Sequence, residues 1–358
     1  MRTLRYCATS VYDPGSNDRS TETRVQYESI RMILAGDIGG TNTRLALFDD
    51  QLKIIGKPQK SPTGNGSGLE EQIHRLLKRH RQAPDKACLA VAGPVIENTA
   101  NATNIGRRFI ARDVARDTGL SSLVLINDLV ANASGIELLS ANETVTLLKG
   151  ERHDGTAAVV SPGTGLGEAT LVWDGHTRRA IASEGGHTRY SPDNARQRAL
   201  CDYLQKQYSS VIVEHVISGR GIENVYAFFL STGDAPTPAV SRAIEKAKPG
   251  QRAAIISRAA IEKSCAVCVD AMNLFVTSLG VECANMAVKV FASGGIFVGG
   301  GIPPKILPLL KTSLFKRSFL NHPTPAIVEF LKRVPMKVIL NDDTALEGAA
   351  LYGSRFDA

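Results

Sequence analysis

Residues 36–45 form a glycine-rich stretch, Gly36-Asp37-Ile38-Gly39-Gly40-Thr41-Asn42-Thr43-Arg44-Leu45. It is preceded by the apolar run Met32–Ala35 and leads into the apolar run Leu45–Phe48. Two short strand-like runs joined by a glycine-rich turn predict a β-hairpin. The segment lacks the GxxxxGK[ST] spacing of the phosphate loop that precedes a helix.

The turn of this hairpin has the chemistry of a phosphate cradle. Gly39 and Gly40 expose backbone N–H groups, and Thr41 adds a hydroxyl, so three donors can face phosphate oxygens. Asp37 stands at the turn, where a carboxylate can hold the magnesium of a nucleotide. The alternative is a tight hairpin turn that binds nothing, and the turn alone does not decide between them.

Composition places the chain among globular proteins. Its 358 residues favour two domains, with 43% hydrophobic and 22% charged residues. The net charge of +7 suits nucleic acid or anionic nucleotides equally, and because the basic residues are scattered among acids we expect no nucleic-acid partner. The longest uncharged run, Val290–Pro304, is interrupted by glycines and predicts no membrane span.

The six cysteines indicate a reducing compartment. No secretory signal precedes them, so we expect free thiols and a cytoplasmic protein. Cys265 and Cys268 form a CxxC pair in a helical pattern with no second pair, which favours a buried helix contact over a redox or zinc site. Residues 1–31 are polar and turn-rich, and we expect them to form a flexible extension.

The order of apolar runs and polar residues along the chain predicts an α/β protein with polar residues at strand ends. Apolar runs at Ala87–Ala92 and Leu123–Ile126 predict buried strands, the second of which ends in Asn127-Asp128. A second strand, glycine turn and strand follows over Ala157–Trp173, resembling the first hairpin. Further on, the pattern predicts helices over Arg252–Leu279 and Val281–Lys289, among others.

Six motifs then stand in one order along the chain: GDIGGTNTRLAL, VLINDLVA, SPGTGLGEATLV, SEGGHTRYSP, VISGRGIENVY and GGIFVGGGIPP. Together they resemble the bacterial glucokinase family of the hexokinase and actin-like sugar kinase superfamily, from Met32 to Gly353. The resemblance implies an α/β, two-domain actin-like (ribonuclease H-like) ATPase fold, commonly a homodimer. It implies a small α/β domain over residues 32–138, completed by a helix over 344–354, and a larger α+β domain over 139–343.

The resemblance also implies ATP-dependent, Mg²⁺-dependent phosphorylation of glucose at its 6-hydroxyl. Asp128 would be the general base, at the carboxyl end of a buried strand where ligands gather in α/β sheets. Taken alone, Asn-Asp after a strand favours a helix N-cap. The implied sugar-binding residues are Asn127, Asp128, Glu184, His187 and Glu214, with Asn104 as a lesser candidate.

The nucleotide would lie between two glycine turns. By resemblance, its phosphates and adenosine would contact Asp37, Gly39, Gly40, Thr41, Asn42, Gly163, Thr164, Gly165, Gly294, Gly295, Gly300 and Gly301, with Asp37 near Mg²⁺. A related branch of the superfamily places a zinc ligand at the His187 position beside a cysteine cluster. No such cluster follows here, so we expect no zinc.

Two other functions remain open at this point. The same fold serves kinases for other hexoses, such as fructose or mannose. It also serves sugar-sensing regulators, which need a DNA-binding helix-turn-helix; residues 1–31 are short and polar, and so disfavour this alternative.

Overall fold

The computed structural model describes residues 31–63, 68–80, 83–102, 106–248 and 250–356. The expected flexible extension, apart from Arg31, and the candidate Asn104 lie outside these residues. The strands are β1 (Ile33–Ile38), β2 (Asn42–Phe48), β3 (Ile54–Pro62), β4 (Lys86–Val91), β5 (Val95–Ile96), β6 (Thr99–Ala102), β7 (Arg107–Ile110), β8 (Leu123–Asn127), β9 (Thr144–Leu148), β10 (Ala157–Pro162), β11 (Leu166–Trp173), β12 (Arg178–Ser183), β13 (Gly295–Val298) and β14 (Met336–Ile339).

Helices alternate with these strands and then dominate the second half of the described chain. They are α1 (Leu69–Leu77), α2 (Ala111–Thr118), α3 (Asp128–Gly135), α4 (Ala195–Leu204), α5 (Gly219–Ser231), α6 (Pro238–Glu245), α7 (Arg252–Ile261), α8 (Ala266–Lys289), α9 (Leu307–Leu310), α10 (Ser313–Leu320), α11 (Pro325–Arg333) and α12 (Thr344–Arg355). Short 3-10 turns include Gly185–His187 and Val213–His215.

Two sheets form the framework. The first has the order β3-β2-β1-β4-β8, with β1 and β2 antiparallel and β1, β4 and β8 parallel. The second has the order β12-β11-β10-β13-β14-β9, and its β10–β11 pair repeats the antiparallel hairpin. Both hairpins therefore form as predicted, one in each sheet. A small sheet of β5, β6 and β7 carries no sequence signal strong enough to predict it.

Helices α3 and α12 lie between the two sheets. Val130 of α3 and Leu346 of α12 pack on the first sheet, whereas Ala133 of α3 packs on the second. The two helices approach so closely that a Cβ on Gly135 would overlap the Thr344 backbone, and a Cβ on Gly348 would overlap that of Ala131. Because neither contact leaves room for a side chain, glycine permits this crossing.

The long helical segment breaks at a different place from the predicted one. α7 ends at Ile261, and α8 continues through Gly280, which the sequence suggested as a break. A Cβ at Gly280 would lie 3.0 Å from the Phe315 carbonyl oxygen, so this glycine admits α10 instead of ending the helix. Cys265 and Cys268 are both buried where α8 begins, which confirms the predicted buried contact.

α8 is the one helix among the described residues that is long and apolar enough to span a membrane. Of its most apolar window, 67% is buried within the protein. Its residues Phe275, Leu279 and Cys283 belong to the large core on one face of the second sheet.

Candidate active site

Hydrogen bonds hold the first hairpin turn in place, whereas its tip is exposed to solvent. The Gly39 amide donates to the Asn42 carbonyl at 3.0 Å. Thr63, just after β3, donates its hydroxyl to the Gly39 carbonyl at 2.7 Å and its amide to the Thr41 carbonyl at 3.0 Å. Gly40 and Thr41 remain exposed. Thr63 thus holds the predicted phosphate cradle in shape, a role that no sequence motif indicated.

Strand register brings the two candidate carboxylates to one edge of the first sheet. Asp37 of β1 pairs with Ala90 of β4, and Val91 of β4 pairs with Asn127 of β8. Since these strands are parallel, their carboxyl ends share an edge. Asp37 and Asp128 therefore meet there, beside the hairpin turn.

The pKa of the Asp128 carboxyl group is raised toward neutral pH. Burial, the charge of Asp37 and a smaller effect of Glu184 together raise its pKa to about 7, while the Leu129 amide lowers it. Asp37, Asp128 and Glu184 come from β1, α3 and the segment after β12, so these three parts of the chain share one electrostatic environment. A group with this pKa can accept a proton near neutral pH.

Asn127 holds the start of the helix that carries Asp128. Its Oδ1 accepts from the Leu129 amide at 2.8 Å and more weakly from the Val130 amide at 3.4 Å. Its Nδ2 donates to the Gly93 carbonyl at 3.0 Å. The helix N-cap that the sequence favours is therefore present, and the capping residue is Asn127 rather than Asp128. One Nδ2 hydrogen remains for a ligand.

Charges of both signs act on the carboxyl group of Asp37. Burial raises its pKa, the Arg44 guanidinium lowers it, and Asp343 raises it. Arg44 in turn pairs with Asp343 at 2.8 Å. Among the described residues no cluster of three or more acidic, histidine or cysteine side chains could hold a metal. Asp37 fits a Mg²⁺ ion carried mainly by nucleotide phosphates and water, to which it adds one carboxylate.

Another sugar-site candidate, Glu214, lies beside the start of β11. The Leu166 amide donates to Glu214 Oε2 at 2.8 Å, and Glu214 lies against Gly165. Leu129, next to Asp128, is so close to Gly167 that a Cβ there would lie 2.6 Å from its side chain. Glu214 and the helix of Asp128 therefore meet at one glycine-rich turn.

Glu184 and His187 form a pair on the other side of this turn. Glu184 Oε2 lies 3.1 Å from His187 Nδ1, and both side chains are more than half exposed. The glycines between them pack inward: a Cβ on Gly185 would overlap Glu168, and one on Gly186 would overlap the Leu166 carbonyl. The backbone is held while the carboxylate and imidazole face outward, where they can bond to hydroxyl groups.

The second glycine turn meets the segment after β13. Gly163 accepts from the Gly219 amide, at the start of α5, at 2.8 Å. A Cβ on Gly300 would lie 2.5 Å from the Pro162 carbonyl oxygen, and Gly301 N lies 4.0 Å from the Cβ position of Gly163. The second turn, Gly300 and Gly301 are thus brought together, and the exposed Thr164 lies at the turn's tip.

Gly294 and Gly295 do not join this group, which corrects the expectation that they border the adenosine. They stand at the amino end of β13, where Gly295 pairs with Ala157, the first residue of β10. The glycine turn follows the other end of β10, about 16 Å away at a rise of about 3.3 Å per residue. Gly294 is instead a packing position, since a Cβ there would overlap the Gly155 carbonyl.

A cleft separates the elements of the two sheets. A cavity of about 360 Å³ is lined by Asn127 and Pro94 from the first-sheet side and by Ser183 and Glu184 from the second. Tyr352 of α12 also lines it. Two of the sugar-site candidates, Asn127 and Glu184, therefore border one space.

Comparisons with known proteins agree with this geometry. The sequence profile of the glucokinase family matches residues 34–355. A curated glucokinase of Nostoc sp. is 34% identical over 343 residues, covering 90% of this chain and 99% of that protein. Among solved structures, glucokinase from an Antarctic psychrotroph is similar with a TM-score of 0.78 and 29% identity, over 92% of this chain and 100% of that one. Glucokinase of Balamuthia mandrillaris, in complex with glucose, has a TM-score of 0.75 at 21% identity, over 92% and 94%, and shows the fold alone.

Two sheets that each contain a glycine-turn hairpin beside a shared cleft, with a partly buried carboxyl group between them, are the features of an actin-like sugar kinase. Within that class, the profile match and the Nostoc relative settle the family. The chain belongs to the glucokinase family.

Proposed function

We propose that this protein transfers the γ-phosphoryl group of ATP to the 6-hydroxyl of glucose, with Asp128 as general base. Family membership supports the reaction. The observation that carries the residue assignment is the position of Asp128: partly buried directly after β8, with its pKa raised to about 7 and Asp37 and Glu184 nearby. A base with that pKa accepts the hydroxyl proton as the oxygen attacks phosphorus.

The sugar would be held by side chains from both sheets. Glu184, His187 and Glu214 offer acceptors and a donor to adjacent hydroxyls, and Asn127 offers its remaining amide hydrogen. Because Glu214 already accepts from the Leu166 amide, a sugar contact through it also ties the sugar to the second glycine turn. Asn104 stays a lesser candidate for this site.

The nucleotide would bridge the two hairpins. Gly39, Gly40, Thr41 and Asn42 would bind phosphate oxygens on one side, and Gly163, Thr164 and Gly165 on the other, with Gly300 and Gly301 bordering the nucleoside. Mg²⁺ would neutralise phosphate charge when bound, and Asp37 would face it. Backbone N–H groups in such turns serve phosphate well because they bring partial positive charge without bulk.

The two sheets define the domains that we propose: residues 32–138 with 344–354 as the small domain, and 139–343 as the large one. The sugar candidates come from both, so we propose that glucose draws the domains together and excludes water from the phosphate. Helices α3 and α12, which lie between the sheets, would transmit the movement.

We also propose a cytoplasmic homodimer. The five cysteines of the described residues are free thiols, which suits a reducing compartment where ATP is abundant. The dimer rests on the family resemblance, and light scattering coupled to size-exclusion chromatography tests it.

A coupled assay of ADP release with glucose, fructose and mannose, in ATP and magnesium, tests the function. We expect kcat/KM for glucose to exceed that for the other two hexoses. Asp128→Asn serves as the matched inactive control. A higher kcat/KM for fructose or mannose would overturn the glucose assignment, and no phosphorylation of any hexose would overturn the reaction.

A further inference from the structure

Glu168 is a buried carboxyl group in β11 that the proposed mechanism does not use. It is 1% exposed, and no hydrogen-bond donor of the described residues reaches either of its oxygens. Its strand neighbour across the sheet is Ser183, directly before the sugar-site pair Glu184 and His187. A polar group this buried is costly to leave unsatisfied.

Glu282 of α8 faces Glu168 and is also buried, at 5% exposure. Its Oε2 accepts from Asn285 Nδ2 at 3.0 Å. Its Oε1 has no hydrogen-bond partner within the part of the chain that the structure describes, but lies 3.6 Å from Lys289 Nζ. The two carboxyl groups are within hydrogen-bonding range of each other. Two carboxylates so placed can satisfy their facing oxygens only by holding a proton between them.

The distribution of charge indicates which group carries that proton. Burial and the charge of Glu282 raise the pKa of Glu168 to about 8, against a smaller opposing effect of Lys289. Glu282 has both the Asn285 amide and the Lys289 ammonium to stabilise a negative charge. These charges favour Glu168 as the group that holds the shared proton, with its O–H donating to Glu282.

This pair lies directly beneath the sugar-site turn. A Cβ on Gly185 would overlap Glu168 Oε2, so the backbone between Glu184 and His187 rests on that carboxyl group. The Gly185 amide is fixed from the other side by Ser183 Oγ at 3.0 Å. Any movement of the Glu168 side chain must move the turn.

We propose that Glu168 and Glu282 share one proton, and that this hydrogen bond positions the Glu184–His187 turn for sugar binding. The proposal rests on the proposed function of that turn. Glu168 does not contact the sugar: it is a positioning residue that acts through Gly185. Loss of the proton leaves two buried negative charges face to face, pushes the carboxyl groups apart and lifts the turn.

Among the described residues, few titratable groups face Glu168. From α8 they are Glu282, Lys289 and Cys283, whose thiol pKa is raised by burial and by both glutamates. The neighbouring strand β10 has no titratable side chain, and Arg178 and Arg179 of β12 pair with the far end of β11. The turn that packs on Glu168 carries Glu184 and His187, whose side chains are both more than half exposed. Glu168 and Glu282 are therefore the buried acidic pair from which we expect the alkaline response.

The direction of that response follows from the raised pKa of Glu168. Its folded pKa, about 8, lies above the unfolded value of 4.5, so its stabilising contribution is complete below 4.5 and is lost as pH rises through about 8. Affinity for glucose is expected to fall over the upper part of that window, while kcat at saturating glucose stays nearly constant.

Glu168→Gln is the decisive variant, because an amide keeps the size and the hydrogen-bond donor but cannot ionise. We expect its glucose KM at pH 7 to stay within about threefold of wild type, and the alkaline rise in KM to disappear. Glu168→Ala removes the donor and should raise KM by about tenfold or more, with kcat little changed. If Glu168→Ala does not fold, Glu282→Gln supplies the second test, since it too removes the facing charge and should abolish the alkaline rise.

Two further measurements separate this proposal from the proposed function. Calorimetric titration of glucose against pH requires no turnover: absence of glucose binding at every pH overturns the proposed function, whereas pH-independent binding overturns only the glutamate pair. The infrared carbonyl band of a buried protonated carboxyl group should be present at pH 7 and diminished in Glu168→Gln. An unchanged band, or an alkaline rise in KM retained by Glu168→Gln, would overturn the positioning role.

Discussion

Arg44 Nη1 lies 2.8 Å from Asp343 Oδ1, an ion pair that joins the first hairpin to the residue before α12. Arg44 also donates to the Asp342 carbonyl at 2.5 Å. Across the hairpin, Arg44 is the register partner of Asp37. One guanidinium therefore balances two carboxylates, one of which is the proposed Mg²⁺ ligand.

Replacing Arg44 should shift the pH dependence of catalysis. Arg44→Ala removes the charge that lowers the pKa of Asp37 and leaves burial and Asp343 to raise it. Because the ionised carboxylate binds magnesium, we expect kcat/KM to fall several-fold, and most at acidic pH. Asp343→Asn should move the acidic limb in the opposite direction. Parallel shifts in the two variants would contradict this account of Asp37.

Asp128→Asn should separate binding from chemistry. The amide keeps the shape of the side chain but cannot accept the proton, so kcat should fall by roughly 10²–10⁴ while glucose affinity changes only a few-fold. In the wild type, kcat/KM should rise with pH through about 7 as the carboxyl group ionises. Steady-state kinetics with calorimetric binding measure both, and a variant within threefold of wild-type turnover would leave Asp128 a structural role only.

Asn127 should behave as a helix cap whose loss weakens folding. Asn127→Ala removes the acceptor of the Leu129 and Val130 amides and should cost about 1 kcal/mol of unfolding free energy. Asn127→Asp keeps the cap but sets a negative charge beside Asp128, which raises the pKa of Asp128 further. Denaturant unfolding and pH–rate profiles should therefore separate the two variants; equal stability of all three proteins would argue against the cap.

The crossing of α3 and α12 should not tolerate a methyl group. Gly348→Ala places a Cβ onto the Ala131 carbonyl, a backbone atom that cannot rotate away, and should destabilise the protein by about 1–3 kcal/mol. Gly301→Ala is the matched control, because its Cβ would meet nothing within 4 Å. Thermal unfolding compares them, and similar melting temperatures would mean that the helices can move apart.

The features that local sequence patterns predict correctly are those that depend on residues close together in the sequence. Both hairpins, the buried strands and the polar residues at their ends follow from apolar runs and glycine turns, and Asp37 and Asp128 meet because parallel strands share an edge. The sugar-binding roles proposed for Glu184 and His187 rest on the resemblance to the glucokinase family, because composition alone cannot assign them.

What the sequence could not predict depends on distant contacts. A glycine pair looks the same at either end of a strand, so the sequence cannot show that Gly294 and Gly295 lie at the end of β13 away from the glycine turn. At Gly280 the local pattern predicts a helix break, because nothing in it reveals that α10 packs against this glycine. No local sequence pattern singles out Glu168, because its partner Glu282 is distant in the sequence and is brought beside it only by folding.

The placement of α12 on the first sheet has a consequence for how the protein is made. Ile33 and Phe48 of that sheet are covered by Leu346 and Ala350 of α12, whereas α1 and α2 cover the other face. During synthesis the first sheet and its local helices emerge early, but α12 follows only after the whole second sheet. α3 covers only part of this face, at Val130 and Ala131, so the part beneath α12 stays exposed for most of translation. A chain halted before α12 would present that apolar surface to chaperones or to other nascent chains.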